Sequence, residues 1–366
     1  MVSMDGSFWR GRSVFITGHT GFKGGWLALW LHQLGGVVSG YALDPPTRPA
    51  LFQVADLAAA LTADTRGDVG DVGRLRAAMA KARPEVVFHL AAQPLVLEGY
   101  RDPLGTFNTN VMGTAHVLDA VRWVETVRAV VIITTDKVYE NREWLHPYRE
   151  NDPLGGHDPY SASKAAAEVV VASYRSSFFS GRPSDHGARV ATTRAGNVIG
   201  GGDWAAHRLV PDCLRAFGAG EPVRLRFPDA VRPWQHVLEP LGGYLLLAEK
   251  LLGDRGDAFA RAWNFGPDHQ GNATVGEVAA SVARFWGPGA VVERVSAEGG
   301  TPHEAGQLRL ESSLARGLLG WQPRWSLRRS LERTVAWHLA WVRGEAMGAV
   351  CREQIAAYMA GAEPWE

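Results

Sequence analysis

A glycine-rich turn that joins a short apolar run to an apolar helix constrains the fold of this chain more than any other feature. Residues 12–18 predict a β-strand, and glycines at positions 18, 21 and 24 follow in a Gly-x-x-Gly-x-x-Gly spacing. Residues 26–34 then predict a helix. A strand, a tight glycine turn and a helix are typical of a βαβ unit in which a pyrophosphate closely approaches the turn backbone. The sequence therefore predicts a Rossmann-type phosphate turn made of Gly18, His19, Thr20, Gly21, Phe22 and Lys23.

Two arrangements are open for the His19 side chain in this turn. An imidazole facing the phosphates would crowd them and loosen dinucleotide binding, and replacement of His19 by Gly would then tighten it. The alternative is an imidazole turned outward to solvent. In either arrangement Lys23 would add a positive charge beside the pyrophosphate.

A carboxylate after the second predicted strand bears on the choice of dinucleotide. Residues 37–43 predict this strand, and Asp44 lies 20 residues beyond Gly24. An aspartate at this distance accepts hydrogen bonds from the adenosine ribose hydroxyls and repels a 2′-phosphate. The sequence therefore favours NAD over NADP. Arg48 tempers this preference, unless it is a solvated loop residue.

Short apolar runs alternate with helical segments through the first half of the chain. Runs at 84–92, 129–135 and 189–195 predict strands, and residues 71–83, 102–124 and 159–179 predict helices between them. This alternation indicates an α/β fold with a right-handed, Rossmann-type doubly wound parallel sheet. Ligands of such sheets bind outside the carboxyl ends of the strands. Candidate cofactor contacts at these strand ends and on the adjacent helix are Asp68, Val69, Leu90, Ala91, Ala92, Asn110 and Thr134. Asp68 would either contact the adenine amino group or lie in a solvated turn.

The chemistry-bearing residues follow the strand at 129–135. Thr135, Asp136 and Lys137 lie at its carboxyl end, and Tyr160 and Lys164 share one face of the next helix because they are spaced i, i+4. A tyrosine base must lose its proton, and lowering its pKa from about 10 to about 7 requires roughly 4 kcal/mol. A cation about 4 Å away at an effective dielectric near 20 supplies about that much. Lys164 and an oxidised nicotinamide are the expected cations.

Composition excludes several other classes of protein. The chain has 366 residues, 46% of them hydrophobic, and 38 basic against 38 acidic residues, so no charge excess points to nucleic acid or membrane. Cys213 and Cys351 are far apart and fit no metal or redox spacing, and no His pair is spaced for metal binding. No apolar run approaches 18 residues. A cytoplasmic protein without a metal site is expected.

The second half of the chain concentrates Arg, Trp, His and Asn in loops. Arginine forks suit a pyrophosphate and aromatic faces suit a base or sugar. The candidate substrate contacts are Asn197, Arg208, Leu209, Arg226, Arg232 and Trp234. The alternative for any single arginine, for instance Arg226, is that it is only an exposed charge in a loop. We expect a Rossmann domain at 1–195, completed by about 230–266 because residues 262–266 fit a sheet edge. A smaller interleaved substrate-binding domain would comprise 196–229 and 267–345, with a C-terminal helix or tail at 346–366.

Motifs along nearly the whole chain resemble the extended short-chain dehydrogenase/reductase superfamily, and within it the CDP-glucose 4,6-dehydratases. They are Gly18-His-Thr-Gly-Phe-Lys-Gly24, Leu43-Asp-Pro-Pro-Thr47, Ala91-Ala-Gln-Pro-Leu-Val96, Thr135-Asp-Lys137, Asp158-Pro-Tyr-Ser-Ala-Ser-Lys164, Arg194-Ala-Gly-Asn-Val-Ile-Gly-Gly-Gly-Asp-Trp204, Arg232-Pro-Trp-Gln-His236 and Trp263-Asn-Phe-Gly-Pro267. Lys137 separates the chain from dTDP-glucose dehydratases, which carry Asp-Glu at the corresponding pair. Leu97-Glu98-Gly99 departs from the family pattern on one side of the sugar.

The resemblance implies a reaction on CDP-glucose with bound NAD. C4 is oxidised with Tyr160 as base, assisted by Thr135 and Lys164, water leaves across C5–C6, and the hydride returns to C6. Gln93 and His303 are further candidate substrate contacts. The resemblance also implies a homodimer in which helices 102–124 and 159–179 of two copies form a four-helix bundle.

Water loss needs a base at C5 and an acid at the C6 hydroxyl. We assign Asp136 as the acid and Lys137 as the base of a coupled pair, because a closed, poorly solvated site disfavours both charges. The alternative is that Lys137 stabilises the enolate while water or Asp136 handles both protons. Two other functions are a nucleotide-sugar epimerase acting at C2 or C4, which would not need this pair, and a catalytically silent NAD-binding sensor, against which the intact set argues.

Overall fold

The computed structural model describes residues 6–181, 185–268, 271–296 and 306–361. The strands are β1 Ser13–Thr17, β2 Val37–Ala42, β3 Ala63–Arg66, β4 Val86–His89, β5 Ala129–Ile133, β6 Arg189–Ala195, β7 Asn197–Ile199, β8 Val223–Leu225, β9 Val231–His236, β10 Ala262–Phe265, β11 Asn272–Thr274 and β12 Val292–Arg294. The helices are α1 Gly6–Trp9, α2 Phe22–Gln33, α3 Leu51–Val54, α4 Val72–Ala82, α5 Val96–Arg101, α6 Pro103–Phe107, α7 Gly113–Val121, α8 Pro159–Phe178, α9 Leu209–Gly218, α10 Leu238–Leu252, α11 Val275–Trp286, α12 Leu327–Val342 and α13 Met347–Met359.

Seven of the described strands form one parallel sheet in the order β10-β6-β5-β4-β1-β2-β3. The order reverses between β1 and β4, and this switch point is where ligands of doubly wound sheets bind. The central strands β4 and β5 are buried along their whole length, as expected when helices cover both faces. The predicted Rossmann-type fold is confirmed.

Each face of the sheet carries its own apolar core. On one face α2, α10 and α13 bury Trp26, Trp30 and Tyr358. On the other face α4, α7 and α8 bury residues such as Leu75 and Val117. The helix α2 is apolar around nearly its whole circumference, and it is buried accordingly.

A third core lies beside the sheet. It is formed by residues of α9, β8, α11 and α12, together with Trp234 of β9. Most of its members come from 196–229 and 267–345, and β10 lies on the edge of the main sheet beside β6. The division of the chain into two interleaved domains stays a prediction. Across the described ranges, no helix combines the length and the hydropathy needed to cross a membrane.

The predicted helix at 102–124 is interrupted in the middle. Residues Asn108–Met112 form a π-helical turn between α6 and α7. Asn110 lies in this turn and is 1% exposed. Its side-chain amide donates to the Gln93 carbonyl at 3.1 Å and to Ser163 Oγ at 2.8 Å. The turn therefore ties this helix to the end of β4 and to α8.

Candidate active site

A cleft of about 1610 Å³ opens at the carboxyl ends of the central strands. The glycine turn after β1 and the residues after β4 line one part of it, and the turn after β5 and the start of α8 line another. The third core supplies the opposite wall through α9 and β8. Most of the predicted site residues line this cleft: Gly18, Thr20, Gly21, Phe22, Lys23, Asp44, Asp68, Val69, Leu90, Ala91, Ala92, Thr134, Thr135, Asp136, Lys137, Tyr160, Lys164, Asn197, Arg208, Leu209, Arg226, Arg232 and Trp234.

The glycine turn is packed too closely for larger residues. Gly18 has φ +79, and a Cβ there would lie 2.6 Å from the Ala91 nitrogen. A Cβ on Gly24 would lie 2.1 Å from the Gly18 oxygen. The turn thus brings the start of α2 against the ends of β1 and β4, which leaves backbone N–H groups at the cleft. This geometry fits the pyrophosphate of a dinucleotide.

His19 corrects both arrangements expected from sequence. The residue is fully buried, its Nε2 lies 2.8 Å from Asp64 Oδ1, and its ring packs edge-on against Phe52. A Cβ on Gly40 would meet this ring at 2.4 Å, so the absence of a side chain on β2 makes room for it. The imidazole neither lines the cleft nor faces solvent, because a buried slot beside β2 and β3 accepts it.

Asp44 lines the cleft after β2, and its role as a ribose carboxylate stays a prediction. Its side chain is 90% exposed at the cleft, and Arg66 Nε lies 3.7 Å from its Oδ1. Arg66 also pairs with Asp64 at 2.9 Å. The carboxylate of Asp68 accepts a hydrogen bond from the Gly70 nitrogen at 2.8 Å, so it orders its own turn while its residue lines the cleft.

The turn after β5 presents a carboxyl group to the cleft. Asp136 is 2% exposed, its Oδ1 accepts a hydrogen bond from Thr135 Oγ1 at 3.0 Å, and its buried Oδ2 has no hydrogen-bond partner within the described residues. Burial raises the pKa of Asp136 above its usual value, although Lys137, Thr135, Arg232 and Lys23 oppose this shift. A protonated carboxyl group with a free oxygen can donate a proton to a ligand.

Tyr160 and Lys164 face the same cleft from α8. The helix begins where Asp158 accepts a hydrogen bond from the Ser161 nitrogen and Pro159 occupies its first turn. Burial raises the pKa of Tyr160 to about 12, although a hydrogen bond with Thr135 and the charge of Arg208 lower it. Burial and Lys23 lower the pKa of Lys164 to about 8, and its Nζ donates to the Ile133 carbonyl at 3.0 Å. Without a cofactor, burial thus outweighs both the Thr135 hydrogen bond and the charge of Arg208. That Lys164 and an oxidised nicotinamide together lower the pKa of Tyr160 stays a prediction.

Cationic side chains crowd the middle of the cleft. Burial and the charge of Arg208 lower the pKa of Lys23 to about 8, whereas Asp136 and Asp203 raise it. Arg208 Nη1 donates to Asp203 Oδ2 at 2.9 Å. Arg232 is 4% exposed. Such a set of cations suits a ligand with several negative charges.

Two predicted contacts have structural partners instead, and one lies outside the described residues. Gln93 Nε2 donates to Thr106 Oγ1 at 2.8 Å, and neither Gln93 nor Asn110 lines the cleft. Both amides are occupied in joining the end of β4 to the helix at 103–121. His303 lies outside the described residues.

Some residues at the site were not predicted. Asn141, Arg142 and Glu143 line the cleft, and Glu143 Oε1 accepts a hydrogen bond from the Gly306 nitrogen at 2.9 Å. Beneath the cleft, Glu168 and Arg194 form an ion pair in which both side chains are 4% exposed. The i, i+4 spacing of Lys164 and Glu168 is a signal that could have identified Glu168 from sequence.

In the described part of the chain, no group of three or more His, Cys, Asp or Glu side chains could bind a metal ion.

A family model and two proteins of known function that are similar to this chain in sequence are all described as nucleotide-sugar 4,6-dehydratases. A family model described as GDP-mannose 4,6 dehydratase matches residues 15–334. CDP-glucose 4,6-dehydratase of Salmonella typhimurium is 49% identical over 357 residues, which are 97% of this chain and 98% of that protein. dTDP-glucose 4,6-dehydratase of Streptomyces griseus is 31% identical over 290 residues, or 75% of this chain and 78% of that protein.

Solved structures agree with the fold. UDP-glucose 4-epimerase of Thermotoga maritima, solved with UDP-glucose, has a TM-score of 0.77 and 22% identity, and the match covers 90% of this chain and 99% of that chain. dTDP-glucose 4,6-dehydratase of Bacillus anthracis, solved in complex with NAD, has a TM-score of 0.72 and 19% identity. That match covers 90% of this chain and 97% of that chain. At these identities the two structures bear on the fold alone.

Proposed function

This chain belongs to the family described by the GDP-mannose 4,6-dehydratase model, and from that premise we propose that it dehydrates CDP-glucose to CDP-4-keto-6-deoxyglucose with bound NAD. The enzyme is a nucleotide-sugar 4,6-dehydratase, a hydro-lyase. The relative at 49% identity supports CDP-glucose as the substrate. Both cysteines are free and buried, which supports the reducing, cytoplasmic location included in this proposal.

One observation carries the proposal. Tyr160 and Lys164 of α8 line the same cleft as the Asp136–Lys137 pair after β5, and Thr135 hydrogen-bonds with both Tyr160 and Asp136. Dehydration of a hexose at C4, C5 and C6 needs a base for the C4 hydroxyl and a separate acid and base for the neighbouring carbons. An epimerase at C2 or C4 would not need this second pair.

Tyr160 would take the proton of the C4 hydroxyl. Its pKa of about 12 in the protein alone must fall for this step, and Thr135 lies within reach to stabilise the phenolate. Bound NAD would supply the hydride acceptor for C4, the hydride donor for C6 and a positive charge beside Tyr160. The glycine turn and Asp44 would hold its pyrophosphate and adenosine ribose, and Lys164 its nicotinamide ribose.

Asp136 and Lys137 would carry out the elimination. Once C4 is a ketone, the C5 proton is acidic and passes to the Lys137 amine, while Asp136 donates its proton to the C6 hydroxyl, which leaves as water. Burial raises the pKa of Asp136, which favours the protonated form that this step needs. The unpartnered Oδ2 of Asp136 is the atom from which the proton would be transferred. Hydride addition at C6 and reprotonation at C5 complete the 4-keto-6-deoxy product.

The cations opposite the catalytic turn would bind the diphosphate of the substrate. Arg208 at the start of α9, Arg226 just after β8 and Trp234 of β9 all line the wall to which the third core contributes. Guanidinium groups bind phosphate oxygens in pairs, and an indole face suits a base. This wall is therefore proposed as the nucleotide end of the site, with the sugar directed toward Tyr160.

The test is incubation of purified protein with NAD and, separately, CDP-, UDP-, dTDP- and GDP-glucose, followed by measurement of the alkaline absorbance of a 4-keto sugar. We expect the 4-keto sugar to form fastest from CDP-glucose.

Tyr160→Phe should bind substrate nearly as the wild type does and lower turnover by at least about 100-fold, as loss of a general base does. Preference for another nucleotide would overturn the CDP assignment, and near wild-type turnover of Tyr160→Phe would remove Tyr160 as the base.

A further inference from the structure

A buried carboxylate lies on the same helix face as the catalytic residues of α8. Tyr160, Lys164 and Glu168 follow one another at four-residue steps and therefore form one stripe. Glu168 is 5% exposed and, unlike the other two, does not line the cleft. Its hydrogen-bond partners are Thr134, Thr192 and Arg194.

Both oxygens of Glu168 are fully engaged. Oε1 accepts hydrogen bonds from Thr134 Oγ1 at 2.6 Å and Arg194 Nε at 3.0 Å. Oε2 accepts from Thr192 Oγ1 at 2.7 Å and Arg194 Nη2 at 3.0 Å. Burial alone would raise the pKa of Glu168, but Arg194 and the two hydroxyl groups hold it below its usual value. The group is therefore a buried carboxylate ion with a bidentate partner.

The partners of this ion pair bracket the catalytic turn. Thr134 immediately precedes Thr135, and Tyr139 follows the short 3₁₀ turn Asp136–Val138. Arg194 Nη1 donates to Tyr139 Oη at 2.9 Å, and Tyr139 Oη donates to Asn264 Oδ1 at 2.7 Å. Glu168 thus fixes the entry to the turn, and Arg194 fixes its exit.

We propose that Glu168 and Arg194 are positioning residues that hold the Asp136–Lys137 turn in register with the Tyr160–Lys164 face of α8. The inference rests on the proposed function, since the two elements supply the two halves of the dehydration. Oxidation at C4 would use Tyr160 and Lys164 of α8 with help from Thr135, whereas water loss would use Asp136 and Lys137 of the turn. Loosening the ion pair should therefore slow elimination more than oxidation.

Glu168 also acts on Lys164 through its charge. The titratable groups that act on Lys164 are Lys23 of α2, His89 of β4 and Glu168 of its own helix, and Tyr160 lies one turn before it on that helix. Of these, Glu168 raises the pKa of Lys164 and Lys23 lowers it. Removal of the carboxylate charge should lower the pKa of Lys164 by about one unit, given a charge one helical turn away in a poorly solvated site.

The first experiment compares wild type with Glu168→Gln in a single turnover of CDP-glucose at pH 6, where Lys164 is protonated in both proteins. Absorbance of the reduced nicotinamide reports oxidation, and the 4-keto-6-deoxy product reports completion. We expect oxidation within about threefold of wild type and elimination slowed at least about tenfold, so that the reduced cofactor accumulates. Glu239→Gln, which alters another buried glutamate that lies outside the cleft wall, should leave both rates unchanged.

The second experiment measures Lys164 without substrate or cofactor. The chain has five lysines, at positions 23, 81, 137, 164 and 250, so competitive acylation against pH with peptide mass spectrometry resolves each one. We expect the midpoint of Lys164 labelling to fall by about one pH unit in Glu168→Gln and that of Lys250 to stay constant. Equal slowing of oxidation and elimination, together with an unmoved Lys164 midpoint, would overturn the inference and leave the pair a purely structural contact.

Further variants keep the test decisive if Glu168→Gln does not fold. Glu168→Gln/Arg194→Met removes both charges and leaves no buried ion unpaired, and Tyr139→Phe removes one hydroxyl from the exit of the turn. Each variant should accumulate the reduced cofactor. A wild-type ratio of the oxidation rate to the elimination rate in both variants would contradict the inference. If the wild-type protein produces no 4-keto sugar, the proposed function fails, whereas the labelling result still decides whether Glu168 controls Lys164.

Discussion

At the scale of single residues, burial moves three groups of the cleft toward their neutral forms. It raises the pKa of Asp136 and of Tyr160, the latter to about 12, and it lowers the pKa of Lys164 to about 8. A neutral Asp136 is a proton donor, whereas a neutral Tyr160 is the wrong form for a base. In the proposed mechanism, burial thus favours the acid form of Asp136, whereas Tyr160 would need the positive charge of a bound cofactor to act as a base.

The assignment of Lys137 as the C5 base predicts the fate of solvent deuterium. In heavy water with CDP-glucose, Lys137→Met should lower the rate of deuterium incorporation at C5 by at least about 100-fold, because the proposed C5 base is removed. NMR of the product measures the incorporation. Lys250→Met, at a lysine outside the cleft wall, should match the wild type. Wild-type incorporation in Lys137→Met would show that water or Asp136 handles this proton.

The pair of Asp44 and Arg66 predicts a change in coenzyme choice. Asp44→Asn removes the ribose carboxylate and leaves Arg66, 3.7 Å away in the native protein, able to meet a 2′-phosphate. We expect NAD to bind about tenfold more weakly, a loss of about 1.4 kcal/mol, and NADP to bind more tightly than it does to the wild type. Calorimetric titration measures both. The gain for NADP should vanish in Asp44→Asn/Arg66→Ala, and a persistent gain there would assign it to another cation.

At the scale of elements, a buried glutamate joins α10 to the C-terminal helix. Glu239 accepts hydrogen bonds from the Arg324 nitrogen at 3.0 Å, the Trp325 nitrogen at 2.7 Å and Tyr358 Oη at 2.9 Å. Tyr358 belongs to α13, which covers α2 on one face of the sheet. Burial raises the pKa of Glu239 to about 7, although these donors oppose the shift. The docking of α13 is therefore sensitive to the ionisation of one carboxyl group.

This carboxyl group predicts a pH-dependent stability. The native state binds its proton more tightly than the unfolded chain, whose glutamate has a pKa of 4.5. The contribution to the free energy of unfolding is thus fully present below pH 4.5 and is lost as pH rises through 7, by about 3 kcal/mol in total. Glu239→Gln keeps a neutral side chain, so its melting temperature should fall less than that of the wild type between pH 5 and 8. Glu332→Gln, at an exposed position of α12, should behave as the wild type, and equal slopes for Glu239→Gln and wild type would refute the assignment.

At the scale of the whole molecule, the sequence predicted the strands and helices whose bounds are marked by local residue patterns. Strand β6 begins and ends at the predicted residues, and helix α8 begins at the predicted residue and ends one residue early, because apolar periodicity and flanking polar residues mark their bounds. Pairings between distant residues carry no such pattern. The slot that accepts His19 is made by Gly40 and Asp64, and Glu168 meets Arg194 across two elements. Only the folded chain brings these groups together, so the buried ion pair and the orientation of His19 could not be read from spacing.

The outer faces of α6 and α8 predict how two copies assemble. Leu104 on α6 is 76% exposed, Val169 on α8 is 61% exposed, and Met112 between α6 and α7 is 48% exposed. Apolar side chains on two adjacent helices gain stability when a second copy covers them, and two helices from each copy make a four-helix bundle about a twofold axis.

We expect light scattering at micromolar concentration to give twice the chain mass of 39.7 kDa. Leu104→Glu/Val169→Glu should give a single chain mass, because a charge buried at the twofold interface would be unpaired. Leu318→Glu, at a leucine that is 55% exposed on another part of the surface, should leave the mass unchanged. A wild-type mass of 39.7 kDa would contradict the dimer, and an unchanged dimer in the double variant would place its interface elsewhere.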